Sequence, residues 1–213
     1  MNAAPLDLRL IVITDAALAA PRTVRDVVTA ALEAGAPAIQ LRAKTATAAA
    51  LLDEARALLT LVRRYGARLF INDRVDVALL AGADGVHLGP DDLPVHAVRA
   101  VVPPDFHIGY SADDPAAAVQ AVRDGATYIG CGAVFGTTTK PEAAGERIGT
   151  ERLQRVAEAV DVPVVGIGGI TPDNVAEIGK TRAAGAAVVG AVMAAADPGA
   201  AVRMLLQRLG RES

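Results

Sequence analysis

Cysteine, tryptophan and basic runs are the scarce features of this chain. A single cysteine, Cys131, stands among 213 residues, so no internal disulfide can form, which suits a reducing compartment. Tryptophan is absent and aromatic residues make up only 3%. The core must therefore be built from Ala, Val, Leu and Ile. Lys and Arg form no basic run, and the formal net charge is -3, which argues against nucleic acid as a partner. The amino-terminal "MNAAPLDLRLIVIT" lacks the basic and long apolar regions of a signal peptide. No stretch approaches the roughly 20 apolar residues of a membrane span. These absences predict a cytoplasmic protein with neither membrane nor nucleic acid among its partners. They leave the choice between a single chain and a homo-oligomer open.

Eight short apolar runs recur at a spacing of about 25 residues. They are "LRLIVIT" (8–14), "PAIQLR" (37–42), "ARLFIN" (67–72), "DGVHLG" (84–89), "FHIGYS" (106–111), "TYIGCG" (127–132), "VPVVGIG" (162–168) and "AAVVGA" (186–191). Most are continuous rather than alternating, as strands buried on both faces are. Amphipathic segments lie between them. In 47–66, Leu51, Leu52, Ala55, Leu58, Leu59 and Val62 form one stripe ending at Gly66. "TPDNVAEIG" (171–179) reads as a helix capped by Thr171 with Pro172 at its first position, and Thr23, Asp113 and Asp197 as other helix starts. Eight strand–helix units predict a single (β/α)8 TIM barrel over 1–213, an α/β fold at its lower size limit. A doubly wound sheet would want a glycine-rich turn after the first strand, where "TDAALAAP" stands.

In such a barrel, chemistry sits just beyond the carboxyl ends of the strands. After the second run, Gln40, Arg42 and Lys44 lie two apart, on one side of an extended chain. They form either part of a site or a solvated strand edge. After the third and fourth runs come "INDR" and "HLGPDD". Asp73 and Asp92, with Asn72, could meet over one hole, and carboxylates without Cys or His suit a hard ion such as Mg2+. The alternative is helix capping by both aspartates. After the seventh and eighth runs, Gly168, Gly169 and Gly190 expose backbone N–H groups, as a phosphate site does and as a tight left-handed turn also would. "GTTTK" follows the sixth run, with hydroxyls and the Lys140 charge for phosphate oxygens. The segment 136–149 reads as a lid. His87, His96 and His107 are too scattered to form one site, and Cys131 reads as packing. Together these features predict two anion subsites and one Mg2+, hence pyrophosphate loss with attack by a second, monophosphorylated substrate.

"QLRAK", "INDRVDVALLAGADGVHLG", "DDLP", "GTTTK" and "VPVVGIGGITPDN" together resemble thiamine phosphate synthase, in the right order over nearly the whole chain. The resemblance implies a transferase that joins 4-amino-2-methyl-5-hydroxymethylpyrimidine diphosphate to hydroxyethylthiazole phosphate, or its carboxylated form. It implies a pyrimidine diphosphate pocket of Gln40, Arg42, Lys44, Asn72 and Lys140, with Ser111 near the pyrimidine and pyrophosphate. Asp73 and Asp92 would hold Mg2+. Thr137, Thr139, Gly169 and the Val189–Gly190 backbone would take the thiazole phosphate. Arg42, Lys44, Lys140 and Ser111 would be the catalytic set. Ala43, Pro90, Asp91, Ala133, Gly136 and Gly190 depart from the family's usual residues. A similar barrel, the thiazole tautomerase, would carry a histidine where Asp113 stands. A non-catalytic phosphate-binding homologue would not require both aspartates and Lys140.

Overall fold

A computed structural model describes residues 6–136 and 147–210. Eight parallel strands close into a barrel in sequence order, β1 (Leu10–Ile13), β2 (Ala38–Leu41), β3 (Arg68–Asn72), β4 (Gly85–Leu88), β5 (His107–Ser111), β6 (Tyr128–Gly132), β7 (Val164–Ile167) and β8 (Gly185–Val188). The pairing of Leu10–Val12 with Ala186–Val188 closes the ring. The helices between strands start where the side chains permit. Thr23 and Asp26 form a reciprocal capping box for α2 (Val24–Glu33), following the short α1 (Ala16–Ala19). Thr47 caps α3 (Ala48–Arg64), which buries Leu51, Ala55, Leu58 and Val62. After α4 (Val75–Ala81) and α5 (Val95–Arg99), α6 (Pro115–Arg123) is capped by Asp114 with proline in its first turn, so the helix begins one residue later than an Asp113 cap would place it. Then come α7 (Gly149–Ala159), α8 (Val175–Gly179), α9 (Gly190–Met193) and α10 (Pro198–Leu209), the last capped by Asp197.

The segment expected to open a helix at Thr171 instead forms a turn, and α8 begins at Val175. Asn174 is the cause. Its Oδ1 accepts from the Thr171 N–H at 2.9 Å, and its Nδ2 donates to the Gly169 carbonyl at 2.9 Å. The side chain thus closes the backbone into a loop before the helix can start.

Two apolar clusters hold the fold. The larger lies between the strands and the surrounding helices. The smaller fills the barrel itself, with Ile11, Ile13, Ala38, Phe70, Tyr128, Val165 and Ala187. Small residues make room for the few large rings. A Cβ on Gly109 would collide with the Tyr128 ring, and one on Gly130 would lie 3.0 Å from the His87 ring. Phe70 and Tyr128 pack edge to face at 5.3 Å between ring centroids.

Candidate functional site

A cavity of about 560 Å³ opens at the carboxyl end of the barrel, within the usual range for a small-molecule site. Its wall is built from strand ends all round the ring. Gln40, Arg42, Asn72, His87 and Ser111 supply a polar side from β2 to β5, while Ile13, Val165, Ile167, Ile170, Ala187 and Val189 supply an apolar side around β7, β8 and β1. Of the residues predicted from sequence, Gln40, Arg42, Asn72, Ser111, Gly169, Val189 and Gly190 line this one cavity. Lys44 is exposed just beyond β2. Thr137, Thr139 and Lys140 lie outside the described residues, as does most of the expected lid. The ends flanking that segment are fixed at the cavity. Val134 and Phe135 donate backbone hydrogen bonds to Ile167 and Gly168 at 2.8 and 3.0 Å, and Ile148 donates to Ala133 at 2.9 Å. The Arg147 guanidinium sits 5.7 Å over the Phe135 ring.

Beside the polar side, in the loops after β3 and β4, lies an electrostatic conflict. Asp73 and Asp92 do not line the cavity itself, and Asp92 lines a neighbouring cleft that shares Pro90 with it. Asp73 and Asp92 approach closely enough to interact directly. Burial raises the Asp73 carboxyl above its ordinary range, contact with Asp92 and its charge raise it further, and Lys44 and Arg42 oppose the rise. Neither aspartate caps a helix: α4 and α5 have no side-chain cap. Asp92 Oδ2 instead accepts from the Gly89 N–H at 2.6 Å. Asp73 holds φ at 64°, a left-handed backbone that aspartate tolerates better than most side chains. Left-handed non-glycine backbone and mutually perturbed carboxylates both concentrate at functional sites. The pair fits a hard dication, which oxygen ligands satisfy and whose charge would remove the repulsion. Among the described residues no third His, Cys, Asp or Glu completes a metal cluster, so such an ion would take its other oxygens from ligand and water.

The opposite rim is a backbone cradle. Gly168 and Gly169 have φ of 100° and 63°. A Cβ on Gly169 would lie 2.9 Å from the carbonyl oxygens of Phe135 and Gly136. The turn thus needs glycine for its own conformation as well as for access. Beside it, the first-turn N–H groups of α9 have no side-chain cap. Gly190 has room around it, since a Cβ would meet only a Leu18 methyl at 3.9 Å, so a serine would fit there without strain.

Ser111 was expected at the site, but Tyr128, His87 and Thr14, which adjoin it or its neighbours, were not. Tyr128, His87 and Ser111 are linked: His87 Nδ1 shares a hydrogen bond with the Tyr128 hydroxyl at 3.0 Å, and His87 Nε2 shares one with Ser111 Oγ at 2.9 Å. His87 is thus a satisfied barrel histidine, and its partners tie it to the site. The alternation in "TYIGCG" was the available signal for Tyr128, with Gly130 and Gly132 on the same inward face. Buried Thr14 accepts from the Arg42 N–H at 3.0 Å and so fixes the strand end that carries the guanidinium. Cys131 is buried with its thiol pushed up to about 12, chiefly by desolvation, which fits packing and not nucleophilic chemistry.

Fold and cavity together define the class: a (β/α)8-barrel enzyme with its site on the carboxyl-end loops. The sequence pattern of the thiamine monophosphate synthase family matches residues 10–192. The chain is 50% identical over 194 residues to the thiamine-phosphate synthase of Roseiflexus castenholzii, covering 91% of this chain and 85% of that one. It is 47% identical over 200 residues to that of Chloroflexus aurantiacus, covering 94% and 92%. A thiamine phosphate pyrophosphorylase from Pyrococcus furiosus superposes with a TM-score of 0.88 at 41% identity over 96% of each chain. The chain belongs to the thiamine monophosphate synthase family and is a transferase of thiamine biosynthesis.

Proposed function

We propose that this enzyme joins 4-amino-2-methyl-5-hydroxymethylpyrimidine diphosphate to 5-hydroxyethyl-4-methylthiazole phosphate, or its carboxylated form, releasing pyrophosphate and thiamine phosphate. The observation that carries the reading is the arrangement of charge: two mutually repelling carboxylates, Asp73 and Asp92, beside the cations of Arg42 and Lys44. A diphosphate and a dication together would neutralise all four. The glycine cradle across the cavity suits a second, singly phosphorylated ligand.

The reaction is a substitution at carbon. The carbon–oxygen bond to the diphosphate breaks, and its electron pair leaves with pyrophosphate. The pyrimidine ring stabilises the cation left behind, and the thiazole nitrogen lone pair captures it. Bound Mg2+, held by Asp73 and Asp92, would offset negative charge on the departing oxygens. Arg42 and Lys44 orient the diphosphate and stabilise it as it leaves. Lys140 adds a third cation, while Thr137 and Thr139 join the glycine turn around the thiazole phosphate. Gln40 and Asn72 hold the pyrimidine, and Ser111 donates near the breaking bond. The apolar wall from Ile13 to Val189 receives the thiazole ring and keeps water from the cation. No strong general base is required, in keeping with a cavity whose one histidine is engaged by a tyrosine and a serine.

Incubation with both substrates and Mg2+ tests the reading. Pyrophosphate and thiamine phosphate are expected in equal amounts. Failure of either product to form in folded protein refutes it.

A further inference from the structure

Four polar side chains cross the interior of an otherwise apolar barrel. Gln40 on β2 lies against the Tyr128 hydroxyl on β6. Tyr128 meets His87 on β4 at 3.0 Å, and His87 meets Ser111 on β5 at 2.9 Å. Packing alone does not call for this. A phenylalanine and a leucine would fill the same space without desolvating three polar groups. Room is also made at a cost in side chains, since Gly109 and Gly130 leave space for the Tyr128 and His87 rings. A buried polar chain of this kind specifies one arrangement only if every donor finds an acceptor.

Two directions satisfy the chain, and they differ in which nitrogen of His87 carries the hydrogen. Tyr128 is fully buried, and desolvation holds it as a neutral hydroxyl with one hydrogen to give. With the Gln40 amide N–H donating to the phenol oxygen, the chain runs toward the cavity, which Ser111 lines. The Tyr128 hydrogen is then given to His87 Nδ1. A neutral imidazole that accepts at Nδ1 carries its own hydrogen at Nε2. That hydrogen is donated to Ser111 Oγ, and the Ser111 hydrogen is left for a group in the cavity.

We propose that Gln40, Tyr128 and His87 are positioning residues whose directed hydrogen bonds hold Ser111 with its hydroxyl hydrogen aimed into the cavity, as a donor to the departing diphosphate. The role of the diphosphate rests on the function proposed above; the polarity of the chain does not.

Two measurements separate those layers. Long-range proton–nitrogen correlation on 15N-labelled protein reads the tautomer of His87, assigned by loss of its signals in His87→Gln. The Nε2–H form is expected; the Nδ1–H form overturns the proposal. This readout needs no turnover, so it decides the polarity even if the chain forms no thiamine phosphate. The second measurement is a double-mutant cycle on turnover. Tyr128→Phe keeps the ring packed and removes only the hydroxyl, and is expected to lower kcat about tenfold with little change in KM for the thiazole phosphate. In a Ser111→Ala background the same change should do nothing further. Ser111→Thr, which restores a hydroxyl, should restore sensitivity to Tyr128→Phe. Additive losses would show that Tyr128 only packs and would overturn the relay. Full activity in Ser111→Ala would overturn both the relay and the assignment of Ser111, while leaving the substrates in place.

Discussion

The two ends of this barrel use the same residue types to opposite effect. At the amino end charges are matched: Arg68 binds Asp84 at 2.8 Å, and Asp84 also accepts from the Leu69 N–H at 2.9 Å. Asp7 and Arg9 pair at 2.9 Å. At the carboxyl end, among the described residues, Arg42 and Lys44 form no ion pair, while Asp73 faces Asp92. Balanced charge stabilises the fold. The unpaired groups at the other end are what the proposed diphosphate and dication would engage. In the backbone, left-handed glycines occur at both ends, but the left-handed non-glycine among the described residues, Asp73, follows β3 at the carboxyl end.

The largest expected effect falls on the aspartates. Asp73→Asn keeps a side chain suited to φ of 64° and removes the charge. Asp73→Asn and Asp92→Asn should each lower kcat about a hundredfold or more, and the double variant should lose little beyond either alone. EDTA should abolish activity and Mg2+ restore it. Arg42→Gln comes next, with pyrimidine diphosphate affinity falling about 10- to 100-fold by calorimetry, the range for a lost charge-assisted hydrogen bond. Gly169→Val should weaken thiazole phosphate binding by about tenfold or more, about 1.4 kcal/mol. It should also lower the melting temperature, because a side chain at φ of 63° would press on the Phe135 and Gly136 carbonyls. Gly169→Ala should do less of both.

At the amino end the pattern should invert. Asp84→Asn should cost about 2 kcal/mol of stability in thermal melts, because it weakens a buried anchor for Arg68 and Leu69. Turnover should be unchanged. A large loss of kcat there would break the comparison. His107 gives the smallest effect. Burial pushes its imidazole below the ordinary value, Arg68 and Arg99 add repulsion, and Asp84 and Asp105 oppose it. The fold therefore favours the neutral ring. Its contribution is complete above about pH 6.5 and is lost as pH falls through the lower folded value, where the unfolded chain binds the proton more readily. Melting temperature followed downward from about pH 7 should fall less steeply in His107→Gln.

The strands were legible because each apolar run is short, β-rich and bounded by glycine, proline or a capping residue, and the barrel followed from their number. Helix starts were legible where capping is local, as at Thr23, Thr47 and Asp197. At Thr171 the reading failed because Asn174, three residues on, captures the turn from both sides. Charged and glycine site residues stood out because barrel topology says where to look. Tyr128 and Thr14 did not. Each sits within or beside an apolar run, and each acts through a partner far away in sequence: His87 for Tyr128, Arg42 for Thr14. Such pairings exist only once the ring is closed.

Calorimetric titration of pyrophosphate with and without Mg2+ tests the central claim most directly, that the carboxyl end is a site for a diphosphate and a dication together. Tight binding is expected with Mg2+ and binding weaker by at least about a hundredfold without it, with pyrophosphate strengthening Mg2+ binding by the same factor. Asp73→Asn should remove that coupling. Equal pyrophosphate affinity in the presence and absence of Mg2+ would contradict the account.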